Sequence, residues 1–159
     1  EELLSPCSPV GHISGCECYS VCNSCIIEDA ESKGTKIYLP VDTVIADQFS
    51  NDSNFMTVNA GETPDDYMGM DIGPKTVEKY SEIIKRAKTI IWNGPAGVFE
   101  MPKFAHGTEG IARAVAESGA VSIIGGGDSA AAVNQMGFGD KMSHSSTGIF
   151  LTDPLCQAC

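Results

Sequence analysis

Gly125-Gly126-Gly127-Asp128-Ser129 is the run whose residue types best suit an anion. Glycines lack a Cβ, so a phosphate can come close to the backbone there. Val121–Ile124 before it is short, apolar and β-branched at three of four positions, which predicts a buried strand. The residues after it predict a helix, with Asp128 or Ser129 as its cap. A helix N-terminus turns unpaired N–H groups and a partial positive charge outward. The run matches neither G-x-G-x-x-G nor G-x-x-x-x-G-K-[ST], and a tight strand-to-helix turn needing small residues explains it as well as a phosphate cradle does.

Asn93-Gly94-Pro95-Ala96-Gly97 is a second turn-rich loop, with a carboxylate at Glu100. It follows the short apolar run Thr89–Trp92, a further predicted strand. Taken alone, Asn93-Gly-Pro is an ordinary turn and Glu100 a solvated charge. The two loops share a position, however. Each stands at the C-terminal end of a predicted strand, where open α/β sheets bind ligands. Trp92, Phe99 and Phe104 read as core. His144 reads as a packed or hydrogen-bonded histidine, Lys141 as surface, and His106 has no assigned role.

The elements that must hold these loops follow from periodicity. Ile26–Lys33 resembles the end of a helix stopped by Gly34, and Lys36–Leu39 a strand ended by Pro40. Val44–Ala46 and Met56–Val58 are short apolar runs. Met68–Pro74 leads into a helix with Pro74 at its first position and Val77, Tyr80, Ile84 and Ala87 on one face. Phe104, Thr108, Ile111 and Val115 mark another helix, stopped by Gly119. The helix after the triple glycine stops at Gly137, and Met142–Ser146 is the last predicted strand. Helices alternating with short apolar strands predict an α/β fold: three layers, a mostly parallel sheet with helices on both faces, a partial Rossmann-like nucleotide domain.

The chain has 159 residues, 42% of them hydrophobic and 19% charged, the balance of a folded globular protein. No apolar run approaches the ~20 residues of a membrane span, and no signal-peptide pattern opens the sequence, so no membrane partner and a cytoplasmic location are expected. A net charge of −11 argues against nucleic acid as a partner. It leaves nucleotides open, because backbone amides and a metal ion neutralise phosphate locally. Cys7, Cys16, Cys18, Cys22 and Cys25 crowd one end, and Cys156 and Cys159 the other. Cys16-x-Cys18-x3-Cys22-x2-Cys25 with His12 has zinc-ligand chemistry but not the paired C-x2-C spacing, and a disordered or foreign segment is the preferred reading.

Five motifs in order resemble phosphoglycerate kinase: Lys36-Ile-Tyr-Leu-Pro-Val-Asp42, Met68-Gly-Met-Asp-Ile-Gly-Pro74, Trp92-Asn-Gly-Pro-Ala-Gly-Val-Phe-Glu100, Ile124-Gly-Gly-Gly-Asp-Ser129 and Asp140-Lys-Met-Ser-His-Ser-Ser-Thr147. The resemblance covers residues ~26–148, the later part of the family's C-terminal, nucleotide-binding domain. It implies a glycolytic enzyme, monomeric and two-domain, that transfers a phosphoryl group between 1,3-bisphosphoglycerate and ADP, giving 3-phosphoglycerate and ATP. The implied cofactors are ATP/ADP and Mg2+. Carried over motif by motif, Asn93, Gly94, Pro95, Gly97 and Val98 line the adenosine pocket, Met70 approaches the adenine and Glu100 accepts bonds from the ribose hydroxyls. Gly126, Gly127 and Ser129 hold the phosphates, with Gly126 and Gly127 the catalytic candidates, and Asp128 ligates the metal, a hard cation that favours oxygen.

The sequence departs from that family at both ends. The 3-phosphoglycerate site and the early lysines of the nucleotide domain have no counterpart here, and phosphoryl transfer depends on such charges. After Thr147 the family has three glycines; here Gly148 is followed by Ile149 and Phe150. The expected division is therefore a non-family segment over 1–25, a partial nucleotide domain over 26–148 and a non-family tail over 149–159. A truncated, spliced or mispredicted reading frame would account for it. Three functions follow: a kinase fragment supplying part of the Mg-nucleotide site, a non-catalytic nucleotide-binding remnant, or a Cys-rich metal or interaction module. A partial sheet is also expected to expose an edge and apolar surface, and so to associate.

Overall fold

The computed structural model describes residues 2–4, 28 and 30–146. The seven cysteines, Thr147 and Gly148 lie outside them, and with them the zinc reading and the departure expected after Thr147. In chain order the strands are β1 (Glu2–Leu4), β2 (Lys36–Tyr38), β3 (Asp42–Ala46), β4 (Phe55–Asn59), β5 (Met68–Ile72), β6 (Thr89–Asn93), β7 (Val121–Gly125) and β8 (His144–Ser146). Among the described residues the helices with both ends defined are α1 (Pro74–Ile84), α2 (His106–Ser118) and α3 (Gly127–Gln135), and residues 28 and 30–32 are also helical. The fold is α/β. Strands β6, β7 and β8 form a parallel sheet in that order, β4-β3-β5 an antiparallel one, and β1 pairs in parallel with β2.

The helices begin and end as their punctuation predicts. Pro74 opens α1, where its missing N–H costs nothing. Gly119 closes α2 in the left-handed conformation at φ 68°, which a side chain would resist. Ala87 lies beyond the end of α1, and Phe104 belongs to a 3-10 turn, Pro102–Phe104, ahead of α2. Three features were not foreseen. Met68–Ile72 is a strand rather than a lead-in; Gly69 and Asp71 disguise it, and pairing with β3 overrides their poor strand preference. Consequently the antiparallel sheet is absent from the sequence reading. Glu2–Leu4 pairs with β2 although no regular structure is expected over 1–25.

The main core gathers Ile72 from β5, Tyr80 and Ile84 from α1, Trp92 from β6, Ile111 and Val115 from α2, Ile124 from β7 and Val133 from α3. A second, smaller cluster of Ala46, Met70 and Phe104 lies under the antiparallel sheet. In the parallel sheet Thr89 stands beside Val121 and Ile91 beside Ile123, so these four share one face, while Trp92 and Ile124 share the other. The Trp92–Ile124 face is buried. On the opposite face Ile91 is 65% exposed and Val121 50%.

Candidate nucleotide site

Adjacent parallel strands deliver the two loops to one edge. Asn93, the last residue of β6, stands beside Gly125, the last of β7. Both chains then turn with positive φ, at Gly94 (94°) and Gly126 (86°), conformations that glycine adopts without steric cost. Gly126 approaches the Asn93 side chain so closely that a Cβ would press on Asn93 Oδ1 at 2.9 Å. Ser129, 1% exposed, then bonds the loops together: the Gly94 N–H donates to its Oγ at 2.7 Å. The Trp92 indole Nε1–H donates to the Gly94 carbonyl at 2.7 Å and ties the same turn to the core.

Helix α3 starts two to three residues earlier than the sequence suggests. Its N-cap is Gly126, at φ 86° and ψ 146°, and no side chain caps it. Asp128 and Ser129 therefore fall inside the first turn. This corrects the expected capping role: three glycines let the chain turn straight into the helix, and the Ser129 hydroxyl is already engaged by Gly94. Asp128 and Gly127 are exposed. The Asp128 carboxylate adds negative charge to a first turn that favours it.

Donor inventories distinguish the two loops. In the first, Pro95 has no N–H, and every other amide from Gly94 to Val98 is committed. Gly94 donates to Ser129, Ala96 and Gly97 donate to Thr108 Oγ1 at 3.1 and 3.2 Å, and Val98 donates to the Met70 carbonyl at 2.9 Å. In the second, the helix carbonyl of Gly126 accepts from Ala130, while no described group accepts from the amides of Gly127 and Asp128. The first loop has no main-chain donor left over; the second keeps two. Amides left free at a helix N-terminus can hold an anion.

The remaining predicted residues spread around this edge. Met70 is 2% exposed and packs with Phe104 and Val98 beneath the first loop. Asn93 and Glu100 are exposed, and Pro95, Gly97 and Val98 are half-buried. Among the described residues no three His, Cys, Asp or Glu side chains converge on one point.

Sequence reasoning missed two supports. Asp71, 2% exposed on β5, accepts from the Gly107 N–H at 2.7 Å through Oδ2 and from the Ile72 N–H at 2.9 Å through Oδ1. Burial pushes its carboxyl up to about 7, against the lowering effect of those two amides. Gly97 and Gly107 both border it, and a Cβ at either would run into the carboxylate. Thr108, fully buried in the first turn of α2, is the other. The available signal was a lone carboxylate inside the apolar run Met68–Ile72.

The family model for phosphoglycerate kinase matches residues 17–149. A phosphoglycerate kinase of Clostridium kluyveri is 57% identical over 123 residues, covering 77% of this chain and 31% of its own length. One from Clostridium tetani is also 57% identical over 123 residues. Among solved structures, the phosphoglycerate kinase of Coxiella burnetii superposes with a TM-score of 0.81 at 37% identity, covering 87% of this chain and 36% of that one. That of Pyrococcus horikoshii OT3 gives 0.68 at 34%, covering 82% and 31%. The chain thus spans about a third of the length of the relatives it matches.

Proposed function

Since the chain belongs to the phosphoglycerate kinase family, we propose that its two loops are part of the Mg-nucleotide site for that family's reaction, reversible phosphoryl transfer between 1,3-bisphosphoglycerate and ADP. The observation that carries this reading is the opposite donor inventory of the two loops. Gly94, Pro95, Gly97 and Val98 give the adenosine a surface with no free main-chain N–H, over the buried Met70, and Asn93 adds an exposed side-chain amide. Glu100, exposed at the end of that loop, accepts from the ribose hydroxyls. Gly126 shapes the phosphate turn, and the amides of Gly127 and Asp128 donate to phosphate oxygens at a helix N-terminus. Ser129 joins the phosphate side to the adenosine side through Gly94.

Asp128 holds the metal, and Mg2+ when bound would neutralise phosphate charge. In a chain of net charge −11, local neutralisation is what lets an anionic nucleotide approach. The chemistry asked of these residues is positioning and charge stabilisation, with no nucleophile or general base among them.

Calorimetry tests this directly. The chain should bind MgADP, and Asp128→Ala should weaken that binding about tenfold while leaving metal-free ADP nearly unaffected, as expected of an oxygen ligand lost from a metal shared with phosphate. Equal MgADP affinity in wild type and Asp128→Ala would remove Asp128 from the site. No binding by the wild-type chain would overturn the reading.

A further inference from the structure

Thr108 is fully buried and lies outside the loops that face the ligand. Its hydroxyl oxygen accepts two backbone amides of the first loop, Ala96 and Gly97. A hydroxyl oxygen has two lone pairs, so both are committed to the loop. Its helix end is fixed in turn. The neighbouring Gly107 amide donates to Asp71 on β5, whose main-chain neighbour Met70 accepts from Val98. Strand β5, the start of α2 and residues 96–98 therefore form one closed circuit of hydrogen bonds.

We propose that Thr108 is a positioning residue for nucleotide binding: its hydroxyl fixes the Ala96–Val98 turn in the shape that receives the nucleoside, before any ligand arrives. This rests on the nucleotide-site reading above. Without that hydroxyl, two half-buried N–H groups lose their acceptor and the turn gains a reason to rearrange toward water. Rearranged, it would present free main-chain N–H groups where the folded loop has none. Each binding event would then have to restore the turn, which lowers apparent affinity in proportion to the competent fraction.

The test uses the full chain and has one arm that needs no ligand. Trp92 is the only tryptophan, and its indole bonds to Gly94 inside this loop, so its emission reports the loop's state. Thr108→Val keeps the shape and removes the acceptor; Thr108→Ser keeps the acceptor. Thr108→Val should change Trp92 emission in the folded protein and weaken MgADP binding about tenfold, and Thr108→Ser should restore both. Thr76→Val, which removes a comparable buried hydroxyl at the start of α1, should change neither. Hydrogen exchange on the wild type supplies the remaining arm: the Ala96 and Gly97 amides should be protected without nucleotide, while those of Gly127 and Asp128 exchange freely.

A folded Thr108→Val with unaltered emission and MgADP affinity would overturn the proposal. So would rapid wild-type exchange at Ala96 and Gly97, a result that stands even if Thr108→Val does not fold. Failure of the wild-type chain to bind MgADP would instead remove the nucleotide site, leaving emission and exchange to decide whether Thr108 fixes the loop.

Discussion

Asp71 shows how one side chain can hold three parts of a site together. Its carboxyl stays protonated to about 7 in the folded protein, against an ordinary 3.8, because burial penalises the charge. Between those values the folded state keeps a proton that the unfolded chain releases. The stability this group contributes is therefore complete below 3.8, declines as pH rises and levels off above about 7, a span worth up to about 4 kcal/mol. Asparagine is neutral throughout. Asp71→Asn loses one acceptor at any pH, a constant cost, yet should gain about 2 to 3 kcal/mol relative to wild type between pH 5 and pH 8. Urea unfolding of both proteins across that range measures it; a difference independent of pH would mean that Asp71 ionises normally.

At the scale of elements, Asp42 does for α1 what Asp71 does for α2. It lies at the start of β3, and its carboxylate accepts from the amides of Lys75 and Thr76 at 3.0 and 2.8 Å and from the Thr76 hydroxyl at 2.6 Å. Each helix is capped by a carboxylate from a neighbouring strand rather than from its own chain end. Asp42→Ala should cost about 3 kcal/mol, since it combines a lost cap with buried donors left unpaired. Denaturant midpoints would show this, and a loss below about 0.5 kcal/mol would contradict it.

This arrangement also explains what could and could not be read from the chain. Gly119 and Gly137 mark helix ends locally, and Val121–Ile124 is a strand by its own composition, so the parallel sheet and its loops were legible. Strand β5 was not, because Gly69 and Asp71 disguise it until β3 is alongside. Loop positions 93–100 and 125–129 were recognisable by residue type. Thr108 was legible only as part of a helical face, because nothing in its neighbours shows that its hydroxyl turns to a loop eleven residues back.

Over the whole molecule the parallel sheet has unlike faces. Trp92 and Ile124 are packed, whereas Ile91 and Val121, on adjacent strands, present aliphatic side chains outward. Contiguous exposed apolar surface drives association. The chain should therefore self-associate at micromolar concentration, and Ile91→Lys with Val121→Lys should shift it toward monomer at a cost in stability below about 1 kcal/mol, because both side chains are half or more exposed. Sedimentation velocity decides this; a wild-type chain that remains monomeric would show that the face is inert.

The seat of Asp71 has one more consequence, for how this sequence can change. Gly97 and Gly107 lie on different elements, yet both press against the same carboxylate. Removing the carboxylate would relieve only part of the clash: a Cβ at Gly97 would still meet the Cα of residue 71 at 2.8 Å, and one at Gly107 the Ile72 Cγ1 at 2.6 Å. Both glycines are therefore locked by more than one neighbour, and a drifting lineage that changed Asp71 alone would not thereby free either of them.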